Sequence, residues 1–203
     1  ELNGLKNLLN TDNVVYISHG IDTEFFVPNT SLKEPNTLLF VGQHLRDFDA
    51  FNYAIPKLKE VIPDLKVSVV LRKDFAKKIT PNSCVTIHSG INDVELRTLY
   101  QKSTLLFLPL LNSTACNSIL EAMACGLPIV SSDVGGNRGY VNDDFGVLVP
   151  FNNNEALIDE TINLLKNLKK IELMSVNARA NSLQYEWIEI ANKVKSFYNL
   201  LSK

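Results

Sequence analysis

Small polar residues and one carboxylate stand close together in LNSTACNSILEAMACG, residues 111–126. They mark the start of a predicted helix, where the first backbone amides lack internal partners and the helix dipole is positive. Small side chains there let a phosphate approach the amides. Glu121 falls one turn after Asn117 and Ser118, where a carboxylate can accept two hydrogen bonds from a vicinal diol such as that of ribose. The residues alone fit such a site and a capped helix with a solvated glutamate equally well.

A glycine loop with a basic residue follows the strand predicted at residues 37–42. Gly42 opens this loop and Arg46 closes it. A fixed guanidinium can hold a phosphate through two parallel hydrogen bonds. The alternative is a surface arginine paired with Asp47 or Asp49, and the residues alone favour that alternative.

Asp47 and Asp49 also form an Asp-x-Asp pair, a pattern that can hold a divalent metal. They stand at the start of a predicted helix, where aspartate caps the first amides and complements the dipole. We therefore predict helix capping and no metal.

Short apolar runs alternate with amphipathic segments along the rest of the chain. Strands are predicted at residues 13–18, 37–42, 66–71, 84–88, 104–109, 128–132 and 146–150. Helices are predicted at residues 48–61, 92–103, 119–124, 155–168, 171–181 and 186–201, with a capping box from Asn92 to Glu95. The strands mostly lack polar alternation, which is typical of strands covered on both faces. The order predicts one α/β domain over residues 1–203, a Rossmann-like, doubly wound parallel sheet with a C-terminal helical tail wrapped on it.

Composition narrows the classes of function. The 203 residues carry a formal net charge of −2, which disfavours nucleic-acid binding by bulk electrostatics. Three cysteines form no zinc-binding spacing, and their odd number suggests reduced thiols and a cytoplasmic location. No apolar run approaches the ~20 residues that span a bilayer. The chain opens without an initiator methionine or a signal-peptide pattern, as a piece of a longer chain would.

Residues 118–136, SILEAMACGLPIVSSDVGG, resemble the donor-site segment of retaining glycosyltransferases of family 4, which have the two-domain GT-B fold. Four further segments resemble the hinge, the glycine loop, the unit before the donor segment and the closing helix of that family. They are residues 18–28, 38–49, 91–109 and 185–201, and they follow the family's order. The resemblance covers nearly the whole chain and implies the C-terminal, donor-binding half, without the acceptor-binding half.

The resemblance also implies roles for individual residues. Arg46 would stabilise the leaving diphosphate as the catalytic residue. The implied donor-binding residues are Gly42, Gln43, Ser89, Gly90, Ser113, Cys116, Asn117, Ser118 and Glu121. Within this set, Ser89 and Gly90 would contact the base through their backbone, Glu121 the ribose, and the amides near Cys116 the diphosphate. Without the resemblance, residues 88–90 read as a simple strand-to-helix loop.

Three positions depart from the family's pattern. Glu121 matches the second of two glutamates eight positions apart, and Ser113 stands at the first. Gln43 stands where an arginine is usual, and Gly139 where a glutamate often follows the Gly135–Gly136 pair. The pair itself would permit a close approach that side chains would block.

The resemblance implies a hexosyltransferase-type enzyme that moves a sugar from a nucleoside-diphosphate donor to an acceptor such as a glycan or glycolipid. Its implied partners are that donor and the N-terminal acceptor-binding domain, with no cofactor and no nucleic acid. It allows peripheral membrane association of the full-length enzyme, in bacterial polysaccharide assembly. The alternative is a degenerate module that binds a nucleotide or a partner without chemistry, as the three departures suggest. A related sugar-nucleotide epimerase would need acidic and histidine groups that this half lacks.

Overall fold

The computed structural model describes residues 2–201, and within that range six parallel strands form one sheet. The strands are β1 (Thr37–Val41), β2 (Lys66–Val70), β3 (Val85–His88), β4 (Leu105–Leu108), β5 (Ile129–Asp133) and β6 (Gly146–Pro150). They lie in the order β3-β2-β1-β4-β5-β6, which reverses between β1 and β4. This order is that of a doubly wound sheet and confirms the predicted α/β fold.

Seven α-helices accompany the sheet in the described range. They are α1 (Leu2–Leu9), α2 (Phe48–Val61), α3 (Asp93–Lys102), α4 (Asn117–Ala124), α5 (Asn154–Leu165), α6 (Leu168–Ser182) and α7 (Trp187–Leu201). Four short 3₁₀ helices occupy Thr30–Leu32, Lys73–Lys78, Asn137–Gly139 and Leu183–Tyr185. The predicted helices are all present, and the bounds of α2 coincide with the prediction because Asp47 caps it at the expected place.

The core lies around β1 and β4, whose residues are all buried. Both strands consist almost wholly of Leu, Phe and Val, as expected where helices cover both faces of a sheet. Phe40 on β1 meets Phe51 of α2 with ring centroids 4.7 Å apart. A fully buried part of the core therefore supports the strand ends at which the order reverses.

β2 and β3 depart from the prediction that the strands are covered on both faces. Residues along β2 alternate between exposed or half-buried and buried positions, and Thr86 and Ile87 on β3 are exposed. The connection between these strands is the 3₁₀ segment Lys73–Lys78 in place of a full crossover helix. The short connection leaves this edge of the sheet open to water.

The prediction of a strand at residues 13–18 is wrong. This segment is irregular and pairs with none of the six strands of the described chain. Val15 is 42% exposed there, so its apolar side chain does not join the core. An apolar run becomes a strand only where a neighbouring strand completes its backbone hydrogen bonds.

The three C-terminal helices wrap the sheet only in part. α5 packs against α2, β5 and β6, whereas α6 packs against α4 and α5. α7 has its main contact with the short helix Leu183–Tyr185 that precedes it. Among the described residues, none of these helices is long and apolar enough to cross a membrane.

Candidate functional site

The carboxyl ends of β1 and β4 lie side by side where the strand order reverses, which is where doubly wound sheets bind ligands. The loop after β1, residues 42–47, is tied to the chain after β4 by two backbone hydrogen bonds. Leu111 N donates to Leu45 O at 2.9 Å, and Asp47 N donates to Pro109 O at 3.0 Å. These bonds hold the glycine loop against the segment that leads into α4.

A cleft of about 270 Å³ separates the glycine loop from the start of α4. Its walls are residues 42–46 and residues 112–118. Most of the predicted site residues lie in these walls, namely Gly42, Gln43, Arg46, Ser113, Cys116, Asn117 and Ser118. Ser89, Gly90 and Glu121 are not among the residues that line it.

Backbone amides provide one side of this cleft. α4 begins at Asn117, and Cys116 caps it without a side-chain hydrogen bond. Ile119 N is the first amide to turn back, to Cys116 O at 3.0 Å. Among the described residues, the amides of residues 114–118 have no hydrogen-bond acceptor. Free amides beside the positive end of a helix dipole form a surface that attracts anions.

Arg46 supplies a cation on the other side and is bonded to both walls. Its Nε donates to Val41 O at 2.7 Å, and its Nη1 donates to His44 O at 3.1 Å. Its Nη2 donates to the hydroxyl of Ser118 on α4 at 3.1 Å. None of the ion pairs within residues 2–201 includes Arg46, so its pairing with a neighbouring aspartate is not observed.

These contacts change the expected mode of phosphate binding. A guanidinium has five N–H donors, and the protein already engages Nε, Nη1 and Nη2 of Arg46. The free fork that would grip a phosphate with two parallel hydrogen bonds is therefore partly occupied. Arg46 directly follows Leu45, whose φ of +55° marks a sharp turn in this loop.

Gly42 makes room for Arg46. Its φ is +94°, a region that residues with side chains rarely adopt. A Cβ atom at this position would stand 2.8 Å from Arg46 Nη2. The resemblance implied that this glycine binds the donor, whereas the nearest atom to its Cβ position in the structure belongs to Arg46, the catalytic candidate.

Glu121 lies one turn further along α4 and is half-buried. Its Oε2 accepts a hydrogen bond from the hydroxyl of Tyr100 at 2.7 Å. Burial raises the pKa of Glu121, and the hydrogen bond from Tyr100 opposes that rise. The glutamate is therefore held by the protein, which differs from the solvated side chain of the alternative interpretation.

Tyr100 is the residue at this site that the sequence interpretation missed. It lies on α3 and is completely buried. The capping box is present as predicted, since Asn92 Oδ1 accepts from Glu95 N and Glu95 Oε2 accepts from Asn92 N, both at 2.9 Å. The position of Tyr100 in the sequence gives no local signal of this role. The hydrogen bond between Tyr100 and Glu121 joins residues 21 positions apart and forms only when α3 and α4 pack together.

The Gly135–Gly136 pair contacts the loop that carries Ser113. A Cβ on Gly135 would stand 1.9 Å from Ser113 O, and one on Gly136 would stand 2.6 Å from Thr114 O. Gly136 N donates to Ser113 O at 2.9 Å. The expected close approach is thus present, and it is an approach of the protein's own backbone, which places Ser113 in the cleft wall.

A second groove of about 210 Å³ continues from the cleft across Gly42 and Gln43. Its other lining residues are Val41, Val70, Leu71, Arg72, Gly90 and Ile91. Gln43 Oε1 accepts from Arg72 N at 3.4 Å and so lies between the two spaces. Gly90 is in the wall of this groove, and Ser89 is exposed outside it.

The Asp-x-Asp pair caps a helix, as predicted. Asp47 Oδ1 accepts from Ala50 N at 2.9 Å, and Asp49 is exposed on the first turn of α2. In the part of the chain that the structure describes, no cluster of three or more His, Cys, Asp or Glu side chains is arranged to hold a metal ion. Metal independence of the reaction remains a prediction.

The segment resembling the family's hinge is anchored to the helical tail. The ring of His19 meets Trp187 at 5.1 Å between centroids, which agrees with a structural role. Ile21 N donates to Tyr185 O at 2.8 Å, and Thr23 N donates to the carboxylate of Glu186 at 2.9 Å. These contacts hold the segment at the base of α7, away from the cleft.

Comparison with known proteins identifies the family to which the chain belongs. Residues 22–181 match the model of the family described as Glycosyl transferases group 1. A D-inositol 3-phosphate glycosyltransferase of Corynebacterium aurimucosum is 25% identical over 92% of this chain and 51% of its own length. A phosphatidyl-myo-inositol mannosyltransferase of Mycobacterium leprae is 24% identical over 82% of this chain and 47% of its own length. The chain thus spans about half the length of the curated relatives it matches.

Solved structures share the fold. A sucrose-phosphate synthase from Thermosynechococcus elongatus superposes with a TM-score of 0.81 at 19% identity, covering 98% of this chain and 56% of that one. The C-terminal domain of a glycosyl transferase group 1 family protein from Francisella tularensis has a TM-score of 0.70 at 16% identity. It covers 83% of this chain and 100% of that domain. With the family match over residues 22–181, these findings establish that the chain belongs to the group 1 glycosyl transferases.

Proposed function

We propose that this chain is the donor-binding half of a retaining glycosyltransferase and that its cleft binds a nucleoside-diphosphate sugar. The observation that carries the proposal is the pairing of Arg46 with the free amides of residues 114–118 across one cleft. Two sources of positive potential that face the same space suit a diphosphate. The family match supports the glycosyl-transfer reaction.

The chemistry follows from the charge that develops on the leaving group. When the bond between the sugar and the diphosphate breaks, negative charge grows on the diphosphate oxygens. Arg46 is already fixed by hydrogen bonds to Val41 O and Ser118 Oγ, so little reorganisation is needed as that charge grows. Stabilising and positioning the leaving group would supply much of the catalysis, and no protein nucleophile is required for this part of it.

The nucleoside would extend from the cleft along its edges. Glu121 stands one turn beyond the free amides, within the half-buried surface of α4, and is proposed to bind the ribose diol. The groove beyond Gly42 has the apolar side chains Val70, Leu71 and Ile91 in its wall and suits a planar base. Gly90 lies there without a neighbouring atom within 4 Å of its Cβ position, so its backbone is open to contact.

A second domain is proposed to cover the exposed apolar side chains of α1 and α7. Leu8 on α1 is 79% exposed and Leu200 on α7 is 69% exposed, together with Leu5, Leu9 and Ile188. Large apolar side chains exposed on helices in this way favour a covering partner. We assign that partner as the acceptor-binding domain. Two relatives are named for D-inositol 3-phosphate, a cyclitol phosphate, and for phosphatidyl-myo-inositol, a phospholipid. A glycan or glycolipid acceptor therefore remains a proposal that these names do not specify.

The test is calorimetric titration of the chain with UDP, GDP and ADP. We expect saturable binding of one nucleotide, weakened at least tenfold, about 1.4 kcal/mol, by Arg46→Ala and by Glu121→Ala. Glu155→Ala is the matched control, because Glu155 is an exposed glutamate on α5 that pairs with Lys57. Nucleotide binding that survives both site variants would contradict the proposal. Full transferase turnover by this chain alone would contradict the need for a second domain.

A non-catalytic nucleotide-binding module is the second candidate, and Ser113 favours it. This residue is buried in the cleft wall at the place where the family resemblance implies a glutamate. The variant Ser113→Glu distinguishes the two. A changed affinity for the nucleoside-diphosphate sugar relative to the nucleotide alone would show that position 113 faces the sugar. An unchanged ratio would indicate a pocket that is arranged differently from the family's.

A further inference from the structure

We propose that Tyr100 is a positioning residue of the donor site, whose hydroxyl orients the Glu121 carboxylate and leaves Oε1 for the ribose. This inference rests on the proposed function, since it assigns Glu121 to the nucleoside. Tyr100 is completely buried, so it acts through Glu121 and does not itself touch the ligand.

The tyrosine is held firmly enough to serve as a fixed donor. Its ring meets the edge of Phe26 at 6.1 Å between centroids, with an interplanar angle of 85°. Phe26 belongs to the segment that Arg179 ties to the end of α4 through Phe26 O and Ala124 O. The hydroxyl of Tyr100 therefore sits at a defined height beside α4, 2.7 Å from Glu121 Oε2.

The hydrogen bond divides the carboxylate into two different oxygens. Oε2 accepts from Tyr100, whereas Oε1 has no hydrogen-bond donor among the described residues. A free glutamate rotates about three side-chain bonds, and ordering it costs conformational entropy when a ligand binds. Tyr100 removes that cost in advance, and the outward oxygen is ready to accept from a diol.

The same bond maintains the charge that the diol needs. Burial and Asp93 raise the pKa of Glu121, whereas Tyr100 on α3 and Arg46 on the glycine loop lower it. Removing the tyrosine hydroxyl leaves burial less opposed and raises the pKa of Glu121 further. Protonation of the carboxyl would then begin at a higher pH, and nucleotide binding would weaken from a higher pH downward.

The test uses Tyr100→Phe, Glu121→Gln and the double variant, titrated with UDP, GDP, ADP and inorganic pyrophosphate at several pH values. We expect Tyr100→Phe to weaken the bound nucleoside diphosphate about tenfold and to move the acid limb of binding to higher pH. Pyrophosphate lacks a ribose, so its affinity should not change. In the Glu121→Gln background the tyrosine substitution should add little, because it acts through the glutamate.

Tyr185→Phe is the matched control, because it removes another tyrosine hydroxyl bond, to Gly139 O at 3.1 Å, outside the cleft. Should Tyr100→Phe not fold, fluorotyrosine at position 100 keeps the ring and makes its hydroxyl a stronger donor to Glu121, so the acid limb of nucleotide binding must move to lower pH while pyrophosphate is unchanged. Wild-type chain that binds no nucleotide overturns the proposed function and this inference with it. Nucleotide binding that Tyr100→Phe leaves unaltered, or an equal loss of pyrophosphate, overturns this inference alone.

Discussion

The guanidinium of Arg46 donates to the hydroxyl of Ser118 at 3.1 Å and so joins the loop after β1 to the first turn of α4. These elements follow two strands that are neighbours in the sheet but distant in the chain. This hydrogen bond links the two walls of the cleft to each other. A substitution that moves Arg46 should therefore alter the cleft on both sides.

Gly42→Ala is expected to displace Arg46 and weaken nucleotide binding. The added Cβ would stand 2.8 Å from Nη2, and alanine is strained at a φ of +94°. We expect the free energy of unfolding to fall by about 1–3 kcal/mol and the affinity for UDP, GDP or ADP to fall at least tenfold. Urea denaturation and calorimetry measure the two effects.

Gly126→Ala is the control for Gly42→Ala. Gly126 also has a positive φ, +63°, and its Cβ position lies near Ser175 O, at the opposite end of the sheet from the cleft. It should lower stability without changing nucleotide affinity. An equal effect of both variants on affinity would show that general destabilisation, and not the displacement of Arg46, weakens binding.

Gly135→Ala is expected to disrupt the cleft wall that contains Ser113. The Cβ would collide with Ser113 O at 1.9 Å, and backbone on both sides leaves little freedom to relax. We expect a loss of stability above about 3 kcal/mol, measured by urea denaturation. Gly4→Ala, where nothing lies within 4 Å, should change stability by less than about 1 kcal/mol. A Gly135→Ala variant of wild-type stability would contradict the packing described.

Arg179→Lys is expected to loosen the segment before β1. The guanidinium donates to Thr23 O and Phe26 O at 3.1 Å and to Ala124 O at 3.0 Å. A lysine cannot reproduce three contacts from one planar group. We expect a loss of about 2–4 kcal/mol in the free energy of unfolding and faster proteolysis within residues 18–28. Arg72→Lys, at an exposed pair with Asp74, should stay within about 0.5 kcal/mol of the wild type.

Lys33 should give the chain a measurable dependence of stability on pH. Burial lowers the pKa of its amine to about 8, and Nζ donates to Ser103 O at 2.8 Å. Between pH 8 and the ordinary lysine pKa of 10.5, the unfolded chain holds a proton that the folded chain has released, so stability rises with pH in that window. We expect a gain of about 1.6 kcal/mol from Lys33 between pH 8 and pH 9.5 in urea denaturation.

Lys33→Met isolates this contribution. Burial raises the pKa of the Cys84 and Cys125 thiols, so these groups lower stability as the pH rises above the ordinary thiol range. The variant keeps both thiols and loses the amine. Its stability should rise less than that of the wild type over the same interval, and parallel curves would show that Lys33 does not titrate in the window.

Local features of the chain were predictable because their causes are local. The caps at Asp47 and Asn92 depend on side chains within three residues of the amides they bind, and both are present. The doubly wound parallel sheet followed from the alternation of apolar runs and helical periods, whereas the order of its strands came from the structure. The strand predicted at residues 13–18 failed for the complementary reason, since pairing depends on a distant neighbour that local pattern does not reveal.

The sequence by itself therefore determined the α/β class, most element positions and the residues gathered at the carboxyl ends of β1 and β4. Tertiary structure alone decided how those residues are held: Arg46 is bonded to α4, Gly42 accommodates its guanidinium, and Tyr100 binds Glu121. Periodicity and capping arise between residues a few positions apart. Hydrogen bonds and close approaches between elements arise only when packing brings distant segments together, and no pattern along the chain specifies their geometry.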